Sequence, residues 1–315
     1  MRENSALRFG AVRVSWVPDK PGLTNGGRAP VFNELSIAYL FFGGTGGGAL
    51  MVLAALSFLS AGHPKTGRSV PSRQSLALAY GVALGFLTLG IICLVFDLPK
   101  PNKAILLFAN PTMTHISAGG IALAVCMVGS GALTLFYMKP AAKCSPAMLK
   151  AACLLMAVAA AVVIFYPGNL LMSMKKDFVW HTFLIPVLFG LSSLSAGIAV
   201  VGACLLNLND RVIKAPLLPR LLGIDSLVIL AKAVATVCYL IFVCGILDSG
   251  ASNPLYSGNV AVPFWLGFVG CGLFGCIALE WSVRRWRSSA QVLVLLALSL
   301  IGAYCLRFSI VGLSV

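Results

Sequence analysis

The amino-acid sequence contains eight apolar runs, each long enough to cross a lipid bilayer as a helix. A spanning helix needs about 20 mostly apolar residues, because each residue adds only about 1.5 Å of rise. Such runs are predicted at 35–60, 75–97, 113–138, 147–173, 179–207, 222–247, 261–282 and 290–312. Short polar segments join them, and no soluble domain is inserted. We therefore expect an all-α integral membrane protein with eight transmembrane helices.

The amino-acid composition also indicates a protein embedded in a lipid bilayer. Hydrophobic residues make up 59% of it and charged residues only 10%, compared with about 25% charged residues in soluble domains. The net charge of +14 is typical of basic loops that fix insertion and contact anionic lipid, so it does not indicate a nucleic-acid partner. The ten cysteines form no Cys-x-x-Cys pair, so neither an iron–sulfur cluster nor a zinc site is indicated.

The distribution of Lys and Arg predicts the orientation. The segments after predicted helices 1, 3, 5 and 7 carry three basic residues each, whereas those after helices 2, 4 and 6 carry two, two and none. Because basic loops stay on the cytoplasmic side, we expect both termini outside. We divide the protein into a polar tail (1–34), helices 1–4 (35–173) and helices 5–8 (174–315).

In this orientation, unusual polar residues gather at the outer ends of the first five helices. They are Glu34 before helix 1, Asp97 ending helix 2, His115 opening helix 3, Tyr166 late in helix 4 and His181 opening helix 5. Each one alone is explained by the headgroup region, where such side chains are common. Together they predict a site for an apolar ligand that carries carbonyl or hydroxyl groups and exchanges protons, such as a quinol headgroup.

Within that site we assign roles by side-chain chemistry. We predict that Tyr166 and His115 hydrogen-bond the headgroup and that Glu34 or Asp97 accepts protons. His181 is either a wall of the site or a headgroup contact. Trp180, beside it, is interpreted as an interfacial anchor.

Three charged residues are predicted inside the spans: Asp225 and Lys232 in helix 6, and Arg307 in helix 8. Charges in a bilayer are costly and usually face the bundle interior or a polar cavity. Asp225 and Lys232 share a helix face, with about 10 Å of rise between them. They either pair with other helices or line a proton or ion path, so a secondary transporter or ion channel is an alternative function.

Small residues predict where helices approach closely. GGTGGGAL (43–50) lies within a span and lacks the GxGxxG spacing, so it predicts tight packing of helices 1–4 and not a nucleotide site. Ser192, Ser193, Ser195 and Gly197 predict packing or hydrogen bonds between helix 5 and its neighbours.

Several of these segments resemble the NrfD family, the membrane subunits of polysulfide-reductase-type and related molybdenum or nitrite respiratory complexes. They are AYLFFGGTGGGAL (38–50), FDLPKP (96–101), NPTMTHISAGG (110–120) and CLRFSIV (305–311). The most specific block is YPGNLLMSM…FVWHTFLIPVLFGLSSLSAGIA (166–199). The resemblance runs along nearly the whole sequence.

The resemblance implies a subunit of the bacterial or archaeal cytoplasmic membrane without haem or metal of its own. It implies a site for menaquinone or ubiquinone in helices 1–4, on the outer face. An iron–sulfur subunit would dock there and connect to a molybdopterin or multihaem catalytic subunit. The family's quinone-contacting Tyr corresponds to Tyr166, and Asn33, Glu34 or Ser36 stand where some members carry Asn and His. Lys232 stands where some relatives carry a second acid.

A haem b quinol dehydrogenase is a less favoured alternative. Its two-haem form needs four axial histidines, and this sequence has His63, His115 and His181. A single haem between His115 and His181 stays open as a hypothesis.

Overall fold

The described part of the protein is helical, as predicted. The computed structural model describes residues 34–61, 71–97, 115–139, 145–173, 178–207, 217–246, 255, 258, 260–286 and 289–313. These residues contain eight helices long and apolar enough to cross a membrane, and no strand. They are α1 (Glu34–Ser60), α2 (Arg73–Asp97), α3 (His115–Met138), α4 (Pro146–Ser173), α5 (Leu184–Asn207), α6 (Leu217–Ile246), α7 (π-helical Pro263–Gly275, then α-helical Cys276–Trp286) and α8 (Ser289–Gly312).

Two helix starts differ from the prediction by five residues, and the others by one or two. The fifth helix begins at Leu184 because Phe178–Trp180 forms a separate 3-10 turn before it. The sixth begins at Leu217, five residues before the predicted 222. Pro219 is tolerated there because the N–H groups of a first turn have no partner within the helix.

The outward-facing positions of the helices carry large apolar side chains. Leu59, Phe96, Val128, Leu227 and Trp281 are among the most exposed. A surface of this kind suits lipid, and helices satisfy their own backbone hydrogen bonds there. The protein is therefore a multi-pass membrane protein.

Gly46, Gly47 and Gly48 of α1 each contact a different helix. A Cβ added to Gly46 would meet the Leu87 side chain of α2 at 2.9 Å, and one on Gly47 would meet Val163 of α4 at 3.1 Å. These contacts confirm the predicted close packing in the first half of the protein. The nearest approach was not predicted: a Cβ on Gly48 would lie 1.9 Å from the Ser193 carbonyl oxygen of α5.

Contacts between helix ends place Asp97 and Tyr166, two of the predicted polar residues, at the same end of the bundle. Ser36 of α1 donates a hydrogen bond to the Asp97 carboxylate at the end of α2. Gly119 in the first turns of α3 packs against the Tyr166 ring late in α4. We call this side of the bundle the Tyr166 end. That this end faces the outer side of the membrane stays a prediction.

Candidate functional site

A small pocket lies between α1, α3 and α4 at the Tyr166 end. It is lined by Tyr39, Leu40, Gly43, Gly44, Gly119, Leu123, Val163, Tyr166 and Pro167. The two tyrosines are the only residues of this lining with polar side chains. The lining therefore combines apolar side chains, three glycines and two tyrosines, and of the tyrosines only Tyr166 was predicted.

The position of Tyr166 depends on the absence of a side chain on α3. A Cβ added to Gly119 would lie 2.7 Å from three atoms of the Tyr166 ring. Any larger residue would therefore displace the ring. His115 begins α3 about one turn before Gly119, but its side chain lies outside the described part of the protein.

A proline in α4 leaves one backbone carbonyl of that helix without its usual hydrogen-bond donor. Pro167 lies inside α4 and has no N–H, so the carbonyl four residues earlier lacks its usual helical donor. That carbonyl belongs to Val163, which also lines the pocket. Val163 thus has a carbonyl oxygen without its usual helical partner, in a helix that forms one wall of the pocket.

The pocket is narrow. Its cavity volume of about 10 Å³ is room for about one water molecule. Tyr166 is half-buried, and its side chain forms one wall. A planar ring needs more room than this, so the walls of the pocket must move apart to admit one.

The other predicted site residues whose side chains are described, Glu34, Asp97 and His181, do not line the pocket. Glu34 is exposed at the first position of α1, and Asp97 bonds to Ser36. His181 is exposed, between the 3-10 turn and α5. Asn33 lies outside the described residues.

Trp180 is not an interfacial anchor, and that prediction was wrong. Its side chain is fully buried, and its indole N–H donates to the Ile310 carbonyl at 3.0 Å. The 3-10 turn at Phe178–Trp180 lies between α4 and α5. Ile310 belongs to the last turn of α8, where carbonyls need partners from outside their own helix.

Arg307 is buried between α1, α5 and α8. It is 1% exposed and donates to the carbonyls of Leu40 and Ala303 and to the Ser193 hydroxyl. The bond to Ser193 confirms the predicted link between helices for this serine, whereas the hydroxyls of Ser192 and Ser195 have no hydrogen-bond partner among the described residues. Arg307 thus joins three helices beside the pocket, since Leu40 also lines it.

A second buried polar group lies between α6 and α7, and the sequence analysis missed one member. Asp225 and Glu280 are each 1% exposed, and their carboxyl groups are close enough to interact electrostatically. Ser226 donates to Glu280. Glu280 lies within the predicted span 261–282, so an acid in an apolar run was the available signal.

Lys232 is held by the π-helical part of α7. Its ammonium group donates to the Gly272 carbonyl at 2.9 Å and lies 5.9 Å from the centre of the Phe268 ring. Like Asp225, it faces the protein interior, as predicted for charges in a bilayer. Among the described residues, no three His, Cys, Asp or Glu side chains are close enough to hold a metal ion.

The fold and the pocket define a class: a multi-pass helical membrane protein with a small, mostly apolar site at one end of its bundle. Comparison with known sequences narrows the class. The family described as "Polysulphide reductase, NrfD" matches residues 23–314, so the chain belongs to the NrfD family, as its motifs predicted.

One curated relative agrees with this assignment. The sequence is similar to that of the C subunit of polysulfide reductase from Wolinella succinogenes, with 26% identity over 300 residues. The match covers 86% of this protein and 90% of the relative. The protein is therefore a membrane subunit of a respiratory oxidoreductase complex.

Proposed function

We propose that this subunit exchanges electrons between a membrane quinol and an iron–sulfur subunit docked at the Tyr166 end. The observation that carries the proposal is the pocket between α1, α3 and α4. Quinol oxidation releases two electrons and two protons, so the reaction needs a ring site, an electron acceptor and proton acceptors. The pocket supplies the first of these, and the partner supplies the second.

The chemistry of the pocket fits a quinone ring, either menaquinone or ubiquinone. Gly43 lines the pocket without a side chain, so a planar ring can approach the backbone closely there. The hydroxyls of Tyr39 and Tyr166 both donate and accept hydrogen bonds. They therefore bind the oxygens of the oxidised and the reduced ring alike.

The acids of the same end serve as proton acceptors in this proposal. Glu34 is exposed at the start of α1, and Asp97 lies at the end of α2. Carboxylates beside a quinol site take its hydroxyl protons and pass them to water. His115 is proposed as a further headgroup contact because it begins α3 one turn before Gly119. Asn33 and His181 are proposed as contacts at the rim.

The proposal implies two kinds of partner subunit. An iron–sulfur subunit at the Tyr166 end would pass electrons to or from a molybdopterin or multihaem catalytic subunit. This arrangement places the Tyr166 end and both termini on the outer side of a bacterial or archaeal cytoplasmic membrane. The proposal includes no haem in this subunit.

Purification of the intact complex tests the proposal. We expect the tagged protein to co-purify with a subunit that shows the electron paramagnetic resonance signals of iron–sulfur clusters. Added quinol should reduce those clusters, and removal of this subunit should abolish the reduction. Cluster reduction by quinol without this subunit would overturn the proposal, and a Soret band in the purified protein would favour the haem b alternative.

Gly119→Ala should weaken the binding of a quinone analogue about tenfold, because a displaced Tyr166 ring loses a hydrogen bond to the ligand. The analogue's dissociation constant for the purified protein is the measurement. Gly131→Ala on the same helix is the matched control, since its added Cβ meets only Leu84, at 3.9 Å. Equal affinities of both variants would contradict the role given to Tyr166.

A second candidate function is proton or ion movement through the C-terminal half. The observation that favours it is the buried carboxyl pair of Asp225 and Glu280. Each has one oxygen without a donor among the described residues, and two carboxyls bond to each other only when one carries a proton. Lys232 and Arg307 are close enough to act electrostatically on each other. These residues form either a structural group or part of a proton path.

Asp225→Asn should separate these two roles. Asn keeps the size and a hydrogen bond but carries no exchangeable carboxyl proton, so a proton path should slow about tenfold while quinol turnover continues. A pH-sensitive dye in proteoliposomes that contain the whole complex measures this. Asp225→Glu should restore the rate, and unchanged proton movement in the Asn variant would reduce the pair to a structural role. Ion flux through this subunit alone would favour the transporter alternative.

A further inference from the structure

Arg307 carries a buried positive charge whose partners are all neutral. Its guanidinium donates to the Leu40 carbonyl at 3.0 Å, the Ala303 carbonyl at 2.7 Å and the Ser193 hydroxyl at 2.7 Å. It also lies 5.5 Å from the centre of the Phe189 ring. Each of the three guanidinium nitrogens thus has one hydrogen-bond partner, but none of these partners neutralises its charge.

No acidic side chain pairs with this guanidinium within the part of the protein that the structure describes. A buried charge without a counter-ion is costly, and a guanidinium stays protonated in proteins. Three hydrogen bonds and one aromatic ring offset only part of that cost. The remaining field attracts negative charge in its surroundings.

The candidate pocket lies directly beside this charge. Leu40 and Gly44 both line the pocket. A Cβ added to Gly44 would lie 2.4 Å from Nη2 of Arg307. Only the backbone of α1 therefore separates the guanidinium from the pocket, and water screens charges little in such an interior.

We propose that Arg307 makes the pocket prefer a quinone-type ligand whose ring oxygen carries negative charge. This inference rests on the proposed quinone site and adds an electrostatic positioning role for a side chain that does not itself line the pocket. A preorganised cation beside a site stabilises developing negative charge on the ligand. A purely structural Arg307, which only ties α1, α5 and α8 together, would give no such preference.

Two probes of nearly equal shape test this role in the purified full-length protein. One is a hydroxynaphthoquinone that is an anion at neutral pH, and the other is its neutral methyl ether. Tryptophan fluorescence quenching in lipid nanodiscs gives both dissociation constants without any turnover. We expect the wild-type protein to bind the anion about tenfold more tightly than the ether.

Arg307→Gln should remove the preference for the anion and leave the affinity for the ether within about twofold. Arg307→Lys, which keeps the positive charge, should retain part of the preference. Ser193→Ala is the matched control because it removes one hydrogen bond to the guanidinium but not the charge. It should keep the full preference for the anion.

Three results would overturn the proposal, each in a different way. Equal binding of the two probes by the wild-type protein overturns the role of Arg307, even if the Gln variant does not fold. Equal weakening of both probes in the Gln variant overturns it too, because that is the result of a structural residue. Failure of the wild-type protein to bind either probe overturns the quinone site itself and, with it, this inference.

Discussion

Tyr166→Phe is expected to lower quinol-dependent turnover of the complex about tenfold or more, while turnover with an artificial dye stays unchanged. The substitution removes one hydroxyl and leaves a buried ligand oxygen without its partner, which costs about 1–3 kcal/mol. The ring still fills the space against Gly119, so the fold is preserved. Dyes pass electrons directly to the catalytic subunit and bypass the pocket.

Tyr304→Phe is the matched control for this experiment. Tyr304 is a partly exposed tyrosine of α8 that packs against Phe41, with ring centres 5.7 Å apart, and it is not part of the pocket lining. Its hydroxyl should have little effect on quinol turnover. Equal quinol kinetics in wild type and Tyr166→Phe would exclude Tyr166 as a headgroup contact.

Gly197→Ala is expected to destabilise the bundle by about 3 kcal/mol, at the upper end of the usual cost of overpacking. The added Cβ would lie 2.2 Å from the carbonyl carbon of Gly48 and 2.4 Å from the Ala49 amide nitrogen. Both atoms are backbone, so no change of side-chain rotamer relieves the contact. α1 and α5 must separate, and both helices are largely buried.

Gly202→Ala on the same helix provides the comparison. An added Cβ there meets nothing within 4 Å, so the variant should be neutral or slightly stabilised by its higher helix propensity. Unfolding of the purified variants in mixed detergent micelles measures the difference. Equal stability of the two variants would show that the contact between α1 and α5 is looser than described.

The sequence predicted the membrane helices well because their signal is local. A bilayer-spanning helix must be apolar along its whole length, so each of the eight runs was visible without knowledge of its neighbours. The gathering of Asp97, Tyr166 and the start of α3 at one end also followed from the sequence. Successive crossings alternate in direction, and counting them is enough to group helix ends.

Which side chains line the pocket could be learned only from the tertiary structure. Tyr39 is one of several aromatic residues in the first turns of α1, and nothing in its neighbours distinguishes it. Its role depends on Tyr166 and Gly119, which lie far away in the sequence and meet it only when three helices pack. Trp180 shows the same limit, because a Trp beside a helix end is usually interfacial, yet packing against α8 buries it.

For the charged residues within the membrane, the sequence likewise predicted one part and the tertiary structure decided the rest. The presence of Asp225, Lys232 and Arg307 inside apolar runs was enough to predict that they face the interior, because lipid exposure of a charge is costly. Their partners were decided by packing: Glu280 lies beside Asp225, the Gly272 carbonyl accepts from Lys232, and neutral oxygens surround Arg307. The amino-acid sequence by itself determined an eight-helix NrfD-family membrane subunit and the end of the bundle that holds its polar residues. Only the tertiary structure decided which side chains meet there, because helices that all bury apolar residues choose their neighbours by shape and by the pairing of rare polar groups.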